Sequence, residues 1–455
     1  MKQGNQATLA QRILNLDDYD LAKTIANDAR ACYPIDQLLK SLQIEAVMHL
    51  VRLKNTFVMA GTGFGKSRVP ELYVHLFVKS SKPVVLVLNP LDALGDNQVR
   101  EKIAQKFTAI NLKKLTFNRR VADEVHRGTY NFVYLSPKIF LNNEMFTELY
   151  FNTKFQGRLV LNVVDEAHMI YSWGLVASGK AKKSSAHKQH QDKALFRHSY
   201  GDMGSRLMAT ESSPLLMLSA TCRPLVVKAI LQCLQIPKEN MRFVHAELTQ
   251  PEIRILRFAM GHSLKSTHDL LEMFGPQDDT PNECLPPTLV YCGTQNATLQ
   301  VMKVINHARR TTTGKFNPNS TLIRCYHSCT GDLDKEDTVN GFEKKEFPMI
   351  SCTMALGLGQ NWKRVCRVFH MGRGDPSSIC QMMGRCGRDG KPGLAAFFME
   401  PKRWFGINNI NAVTKANKEL DDTRMDCLAI TPMCLRIAFS MDNLYVEFCL
   451  ALLVN

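Results

Sequence analysis

Short apolar runs rich in β-branched residues recur along this 455-residue chain and alternate with amphipathic segments. Strands that are buried on both faces and alternate with helices are typical of parallel sheets built from βαβ units. Because the runs form one set in each half of the chain, the pattern predicts an α/β fold with two parallel-sheet lobes in tandem. The runs are NTFVMA, PVVLVLNP, FVYLSP, LVLNVVDE and PLLMLSAT in the first half, and PTLVYC, LIRCYH, PMISCT, CRVFHM and GLAAFFM in the second.

The stretch AELTQPEIRI, Ala246 to Ile255, separates the two sets of runs and is where we expect the hinge between the lobes. A chain of this length has room for two or three domains, because single cores rarely grow beyond about 250 residues. We predict a helical N-terminal extension, a first lobe, a second lobe and a short helical C-terminal segment. These cover residues 1–35, 36–245, 246–402 and 403–455.

The formal charge of +15 is spread over the whole chain and favours a polyanionic partner, with nucleic acid as the first candidate. A basic surface that only aids solubility is the alternative. The fourteen cysteines lack the regular spacing of a disulfide framework, which favours a reducing compartment. The N-terminus lacks the apolar core of a signal peptide, and no apolar run approaches the roughly 18 residues of a membrane span. We therefore expect a soluble intracellular protein without a membrane partner.

The stretch MAGTGFGKSRVP follows the first apolar run and has the pattern of a phosphate-binding loop. Glycines let backbone N–H groups converge on an anion, and a helix predicted to begin at Lys66 adds its N-terminal dipole. Lys66 would neutralise β- and γ-phosphate charge, and the hydroxyl of Ser67 would hold Mg²⁺. A purely structural turn is the alternative. The predicted nucleotide-binding residues of the loop are Thr62, Gly63, Gly65, Lys66 and Ser67.

The sequence LVLNVVDEAH supplies two carboxylates directly after a predicted buried strand. Mg²⁺ beside a phosphate chain needs hard oxygen ligands. We expect Asp165 to hold Mg²⁺, Glu166 to polarise the attacking water, and His168 to sense the γ-phosphate and signal to a second site. Taken alone, DEAH could be a solvated helix start, but the phosphate loop in the same half of the chain favours the catalytic interpretation.

With these motifs the chain resembles the superfamily 2 helicases, and within them the RecQ-type DNA helicases, from about Leu39 to Phe398. The resemblance implies two RecA-like lobes that flank one nucleotide, with ATP and Mg²⁺ as cofactors. LKSLQIEAV is similar to the family's adenine-reading motif and assigns the contact with the base to Gln43. Lys40 stands where the family usually has arginine.

Further motifs of the first lobe are similar to those with which the family holds DNA. LNPLDALGDNQV and YLSP resemble the strand-gripping motifs, which implies nucleic-acid contacts for Asn89 and Ser136. The SAT sequence at 219–221 matches the motif that links hydrolysis to strand movement.

DEAHMIYSWG and the later FRHSY resemble the aromatic-rich loop of RecQ enzymes. The resemblance implies that Trp173, Phe196 and Arg197 contact unpaired DNA, since an aromatic face and a guanidinium can stack on a base. A core anchor is the alternative for Trp173. The family separates the two parts of this loop by a couple of residues, whereas here a lysine-rich insertion over 175–195 intervenes. We favour a solvated loop for the insertion over a track that follows a phosphate backbone.

In the second half, TMALGLGQN resembles the motif that grips the strand and contacts the nucleotide, which implies roles for Thr353 and Gly359. QMMGRCGRDG places two arginines three residues apart after a glycine. Arginine in this setting stabilises charge on a transferring phosphoryl group. We assign the arginine finger to Arg388, its partner to Arg385, and the orientation of water or phosphate to Gln381. An exposed salt-bridge pair is the alternative.

These motifs predict an ATP-dependent helicase that moves on single-stranded and forked DNA. The resemblance implies 3′ to 5′ polarity, a nuclear location and a role in DNA repair or recombination. An RNA helicase or duplex translocase of the same superfamily is the alternative within the enzyme class. A nucleic-acid-binding module that no longer turns over ATP is the alternative outside it.

TPMCLRIAFSMDN, near the end of the chain, resembles the start of the family's four-cysteine zinc module and matches its first ligand to Cys434. Cys427 and Cys449 could add thiolates, but a closed structural zinc site wants four N or S ligands. The CYHSC sequence at 325–329 has poor spacing for zinc. We therefore predict an incomplete module, less than about one zinc per chain, and a partly frayed segment after about Asp421.

Overall fold

The computed structural model describes residues 6–34, 39–90, 92–171, 200–210, 213–248, 250–311, 314, 317–356, 362–388, 390–413 and 420–444. The described residues up to Glu247 form one compact unit, and those from Leu248 onward form another. Each unit has its own sheet and its own cores.

The first unit is built on a sheet of seven described strands: β1 Asn55–Met59, β2 Val84–Leu88, β3 Ala109–Leu112, β4 Phe132–Leu135, β5 Leu159–Val164, β6 Leu215–Ser219 and β7 Met241–His245. Their order across the sheet is β3-β4-β2-β5-β6-β1-β7, and every pairing is parallel. Along β2, Val84 and Leu86 face one apolar core while Val85 and Val87 face the other. The apolar run is continuous because both faces of the sheet are covered.

Helices cover both faces of this sheet, and side-chain caps begin several of them. Asp17 accepts a hydrogen bond from the N–H of Asp20, and Asn118 accepts one from the N–H of Val121. The described helices are α1 Asp18–Cys32, α2 Ser41–Val51, α3 Arg68–His75, α4 Asp92–Ala104, α5 Arg119–His126, α6 Pro137–Asn142, α7 Glu144–Tyr150, α8 Thr153–Gln156, α9 Tyr200–Met208 and α10 Pro224–Cys233.

The second unit has six described strands: β8 Ile253–Ala259, β9 Thr288–Tyr291, β10 Ile323–Tyr326, β11 Met349–Cys352, β12 Arg367–Met371 and β13 Gly393–Met399. They pair in parallel in the order β10-β11-β9-β12-β13-β8. The described helices are α11 Gln295–Ala308, α12 Asp332–Glu343, α13 Pro376–Met383, α14 Ile410–Val413, α15 Asp421–Ile430 and α16 Leu435–Leu444. The predicted fold class, two parallel-sheet lobes with a short helical C-terminal segment, is confirmed.

The expectation of fraying after Asp421 is wrong for the described residues 421–444. Both α15 and α16 bury apolar side chains in the same core as the sheet, including Met425, Leu428 and Phe439. Ion pairs reinforce the packing, because the Arg424 guanidinium donates to the carboxylates of Asp421 and Asp442. Tertiary burial of these apolar side chains holds the two helices against the sheet.

Replacing Phe439 by alanine should destabilise the second unit by about 3 kcal/mol or more, because large-to-small changes in a packed core leave a cavity. The Phe439 side chain is buried, and its ring stacks on Phe397 with centroids 5.9 Å apart. Urea unfolding followed by circular dichroism would measure the change as a lower midpoint. Ile437→Ala, an exposed position on the same helix, is the matched control. Equal midpoints for the two variants would contradict the packed helix.

Candidate active site

The loop between β1 and α3 has the shape of an anion cradle. Gly63 and Gly65 have φ values of +82° and +85°, a left-handed region that glycine adopts without steric cost. The Nζ of Lys66 donates to the carbonyl oxygens of Ala60 at 2.7 Å and Gly61 at 3.3 Å. The ammonium group therefore lies over the loop. Helix α3 begins at Arg68, two residues later than predicted, because Lys66 and Ser67 still belong to the turn.

Gln43 clamps this loop from α2. Its buried Nε2 donates to the carbonyl oxygens of Phe64 at 3.0 Å and Gly65 at 3.1 Å, and its Oε1 accepts from the N–H of Lys40 at 3.0 Å. A Cβ on Gly65 would come within 2.7 Å of that Nε2, so the amide occupies the space a side chain would need. These contacts fix the loop, and the assignment of an adenine contact to Gln43 stays a prediction.

Asp165 and Glu166 directly follow β5. The carboxylate of Asp165 accepts from the N–H of Glu166 at 2.9 Å and from the Nε2 of Gln98 at 2.7 Å. Burial raises the pKa of Asp165, the neighbouring Glu166 raises it further, and Gln98 and the charge of Lys66 oppose the rise. The carboxylates of Asp165 and Glu166 are hard oxygen donors that stand side by side after β5. These residues fit Mg²⁺, which would neutralise the adjacent charges.

Gln98 also connects Asp165 to Asn89. Asn89 is only 2% exposed, and its Nδ2 donates to the Oε1 of Gln98 at 2.8 Å. The chain Asn89–Gln98–Asp165 thus links a residue predicted to grip DNA with one predicted to hold the metal. The buried side chain of Asn89 is committed to Gln98 in this conformation. Ser136, the other strand-gripping candidate of this unit, is half-buried at the N-terminus of α6. Both DNA contacts stay predictions.

His168 connects the carboxylates to the SAT segment. Its Nδ1 lies 3.4 Å from the Oε2 of Glu166 and 3.0 Å from the Oγ of Ser219, which in turn donates to the carbonyl oxygen of Thr221 at 3.0 Å. The two segments meet because β5 and β6 are neighbours in the sheet. The contact provides a physical route from Glu166, the carboxylate predicted to polarise water, to the segment expected to drive strand movement.

A buried ion pair behind the phosphate loop was not predicted from the sequence. The Nζ of Lys102 on α4 donates to the Glu71 carboxylate on α3 and to the carbonyl oxygen of Ser67 at 3.3 Å. The Tyr33 hydroxyl donates to the other carboxylate oxygen of Glu71, and burial together with the Glu71 charge raises the pKa of Tyr33. Three helices are thereby tied to the back of the loop.

In the second unit the predicted residues cluster around α13. Gln381 lies on this helix and is 6% exposed, while Arg385 and Arg388 lie in the turn that follows it. The Nε of Arg388 donates to the carbonyl oxygen of Gly384 at 3.1 Å. Burial raises the pKa of Tyr291 at the end of β9, and the charges of Arg385 and Arg388 oppose that rise. Both guanidinium groups therefore lie near the carboxyl end of β9.

Thr353 directly follows β11, and its Oγ1 accepts a weak hydrogen bond from the N–H of Ala355 at 3.4 Å. Its contact with a nucleic-acid strand stays a prediction. Four predicted site residues and the lysine-rich insertion lie outside the described residues. The four are Trp173, Phe196, Arg197 and Gly359.

The two described cysteines proposed as zinc ligands differ in their surroundings, since Cys427 is buried in the core and Cys434 is exposed. Cys449 lies outside the described residues. Among the described residues, no group of three or more His, Cys, Asp and Glu side chains is arranged to hold a metal ion. The low zinc content expected for this segment stays a prediction. None of the described helices is both long and apolar enough to cross a membrane.

Comparison with known proteins identifies the family. Residues 40–229 match the DEAD/DEAH box helicase model, and residues 282–390 match the model of the helicase conserved C-terminal domain. The chain is 23% identical over 390 residues to the ATP-dependent DNA helicase RecQ of Pasteurella multocida, covering 82% of this chain and 52% of that protein. The chain belongs to the RecQ-type helicases of superfamily 2.

Two eukaryotic relatives extend the comparison of this RecQ-type chain. Mouse bifunctional 3′-5′ exonuclease/ATP-dependent helicase WRN is 26% identical over 351 residues, with 76% of this chain and 22% of that protein covered. The yeast ATP-dependent helicase SGS1 from Saccharomyces cerevisiae is 25% identical over 393 residues, with 83% and 24% covered. The RecQ-type chain thus spans about half the length of the bacterial relative and about a quarter of these two.

Solved structures share the fold of the RecQ-type chain. The DUF1998 helicase MrfA bound to DNA has a TM-score of 0.58 at 16% identity, with 87% of this chain and 52% of that chain covered. Yeast Dbp5 bound to RNA and ADP BeF3 has a TM-score of 0.54 at 16% identity, with 83% and 91% covered.

Proposed function

We propose that this chain is an ATP-dependent DNA helicase, which couples ATP hydrolysis to 3′ to 5′ movement on single-stranded DNA. One observation carries the proposal: the phosphate loop and the carboxylate pair act on each other within one unit. Burial raises the pKa of Asp165, and the charge of Lys66 opposes that rise, which is the effect of a nearby cation. The strands that position them, β1 and β5, lie on either side of β6. Phosphoryl transfer depends on this pairing of a lysine and a metal-binding carboxylate.

Each predicted site residue of the phosphate loop and of the DEAH segment is then assigned a role in hydrolysis. Lys66 and the loop N–H groups bind the phosphates, while Ser67 and Asp165 hold Mg²⁺, which neutralises phosphate charge when bound. Glu166 polarises the attacking water and accepts its proton. His168, in contact with Ser219, transmits the state of the γ-phosphate to the SAT segment.

The second unit would supply the remaining charge stabilisation. We assign Arg388 as the arginine finger and Arg385 as its partner, with Gln381 orienting water or phosphate. Their position after α13, with both guanidinium groups near the carboxyl end of β9, supports a common role at one edge of the sheet. Gly359 would contact the same nucleotide.

The DNA strand would be held by both units through phosphate contacts and base stacking. Asn89, Ser136 and Thr353 would grip the backbone, and Trp173, with Phe196 and Arg197, would stack on unpaired bases. Binding should therefore depend strongly on salt and weakly on sequence. Single-stranded and forked DNA are the proposed partners, and DNA repair or recombination in a nucleus is the proposed setting. The name of the RecQ relative, an ATP-dependent DNA helicase, supports this choice of DNA, and the names of the WRN and SGS1 relatives support an ATP-dependent helicase.

An RNA helicase is the second candidate, because the fold is shared with Dbp5 bound to RNA. An ATPase assay with single-stranded DNA, RNA of the same sequence, or no nucleic acid separates the candidates. We expect turnover to rise several-fold with DNA and less with RNA. Glu166→Gln, which removes the catalytic carboxylate while preserving its shape, is the control for contaminating ATPase. A larger rise with RNA would favour the RNA helicase, and strand binding without turnover would favour a binding module.

A further inference from the structure

The turn after β13 exposes two adjacent aromatic side chains. Trp404 is 89% exposed and Phe405 is fully exposed, and their ring centroids are 6.3 Å apart with an interplanar angle of 58°. Lys402, next to this turn, is exposed as well. Scattered exposed apolar residues are ordinary on protein surfaces, but Trp and Phe side by side expose an unusually large π surface.

The turn that carries these rings is held in place by many hydrogen bonds. Asn408 accepts from the N–H of Arg403 at 2.7 Å and donates to the carbonyl oxygens of Arg403 at 3.0 Å and Gly406 at 3.1 Å. The carboxylate of Asp426 accepts from Ile407 N–H at 2.8 Å and from the Arg403 guanidinium at 2.7 Å. These hydrogen bonds fix the backbone conformation of the turn and anchor it to α15 of the second unit.

Phe405 itself has φ +59°, a left-handed conformation that is costly for a residue with a side chain. Glycine would remove that cost, and Gly406 stands in the next position. The turn therefore keeps an aromatic side chain where neither backbone conformation nor burial favours one. Strain of this kind, retained by surrounding contacts, is a feature of functional surfaces.

The aromatic turn lies at the same sheet edge as the predicted strand grip. Both β11, which precedes Thr353, and β13, which precedes the turn, run in parallel, so their carboxyl ends share one edge. Three strand spacings separate them, which is about 14 Å. Met354 and Arg403 line one cavity of about 210 Å³ at this edge. Each is the direct sequence neighbour of one of the two features, Thr353 and Trp404.

We propose that Trp404 and Phe405 form a stacking platform for unpaired bases of the DNA strand held by the second unit. This inference rests on the proposed function. Every base has a π face, so such a platform tolerates any sequence. Two of the nearby acidic groups are paired with arginines, because Asp426 pairs with Arg373 at 2.6 Å and Asp422 lies 3.6 Å from Arg403. The chain's charge of +15 also favours a polyanion at this surface.

A protein partner fits the same surface less well. Protein contacts centre on apolar anchors in well-packed pockets, surrounded by a wide ring of further residues. Here two rings stand on one tight turn between Arg403 and Gly406. Stacking needs no such pocket, because one exposed ring is enough to stack on a base.

The test measures binding of the full chain to a labelled single strand of about 20 nucleotides by fluorescence anisotropy at fixed salt. Trp404→Ala and Phe405→Ala should each raise Kd about five-fold or more, since stacking on an aromatic ring stabilises each bound base. Trp404→Phe should recover most of the affinity. Leu333→Ala is the matched control, because it removes an exposed apolar side chain from α12 in the same unit. It should bind like the parent chain.

A strand of the same length built from abasic nucleotides isolates the stacking contribution. It keeps the phosphates and lacks the bases, so the parent and the Trp404→Ala variant should bind it equally. An equal loss on the abasic strand would overturn the platform, because the defect would then concern charge or folding. Matching urea midpoints of the variants and the parent would confirm that the fold is intact.

The outcomes separate the platform from the proposed function. If the parent binds DNA and its ATPase responds to DNA, but Trp404→Ala binds like Leu333→Ala, only the platform is overturned. If the parent neither binds nucleic acid nor responds to it, both proposals fail. Analytical ultracentrifugation tests whether the two rings instead mediate self-association of the chain. Loss of self-association in Trp404→Ala with unchanged DNA binding would mark the rings as a contact between copies of the chain and would overturn the platform.

Discussion

Lys66→Ala should lower the rate of ATP turnover by on the order of 10³-fold or more. The ammonium group lies over the loop that begins at Ala60, where it donates to two backbone carbonyls and its charge reaches Asp165. The variant would remove the ammonium group that donates to the Ala60 and Gly61 carbonyls, so the phosphates would lose the lysine predicted to neutralise their charge. Phosphate release at saturating ATP and DNA measures the effect on kcat.

The fold should survive this change, because Lys66 is only half-buried and belongs to none of the apolar cores. Lys154→Ala, which removes an exposed lysine from α8 of the same unit, is the matched control and should keep the parent rate. DNA binding by Lys66→Ala should remain close to that of the parent. Turnover near the parent rate would refute the assignment of the loop to phosphate binding.

Arg388→Ala should reduce turnover by on the order of 10³-fold if the guanidinium stabilises the transferring phosphoryl group. The Nε of Arg388 donates to the carbonyl oxygen of Gly384, and the planar guanidinium is a fork of donors that matches the geometry of a phosphate. Single-turnover hydrolysis measures the chemical step separately from product release. Arg388→Lys should recover little, since a lysine keeps the charge but lacks the fork.

Arg254→Ala is the control for the loss of an arginine from this unit, because Arg254 is exposed on the edge strand β8. It should hydrolyse ATP at the parent rate. A rate for Arg388→Ala within about threefold of the parent would make Arg388 a structural residue. Loss of ATP affinity with an unchanged single-turnover rate would assign it to binding and not to the transition state.

The sequence predicted every interior strand and one edge strand, β10, whereas the strands that it missed all lie at sheet edges. β3, β7 and β8 were not predicted, and each is an edge strand in which half-buried or exposed residues interrupt the buried ones. Such a strand has no continuous buried run, and a short interrupted pattern is easily hidden among loops. The interior strands are continuous runs because helices cover both faces.

The motifs predict which side chains of the first unit take part in the chemistry. They do not identify the residues whose hydrogen bonds and ion pairs position those side chains. Gln98, Glu71 and Lys102 lie on helices as ordinary polar positions, and nothing in their spacing identifies their partners. Their contacts join segments that are 31 to 67 residues apart in sequence. Pairings of this length are set by the order of strands in the sheet, which local patterns do not fix.

The error at the C-terminal segment has a related cause. Counting zinc ligands indicated a segment with too few to fold, whereas α15 and α16 bury Met425, Leu428 and Phe439 against the sheet of the second unit. The amphipathic pattern was present in the sequence. The pattern alone could not predict that these helices are folded, because their stability depends on an apolar face of the second unit that covers them.

The Glu71–Lys102 pair constrains how sequences related to this one can diverge. Both side chains are nearly excluded from water. Replacing one alone would leave the other as a buried charge without a partner and would lower the free energy of unfolding by about 3–5 kcal/mol. That is a large share of the roughly 5–15 kcal/mol by which a folded domain is stable. Replacing both by apolar residues of similar volume is often nearly neutral. Across descendants of a common ancestor, positions 71 and 102 should therefore change together or not at all, and would appear as a covarying pair despite their separation in sequence.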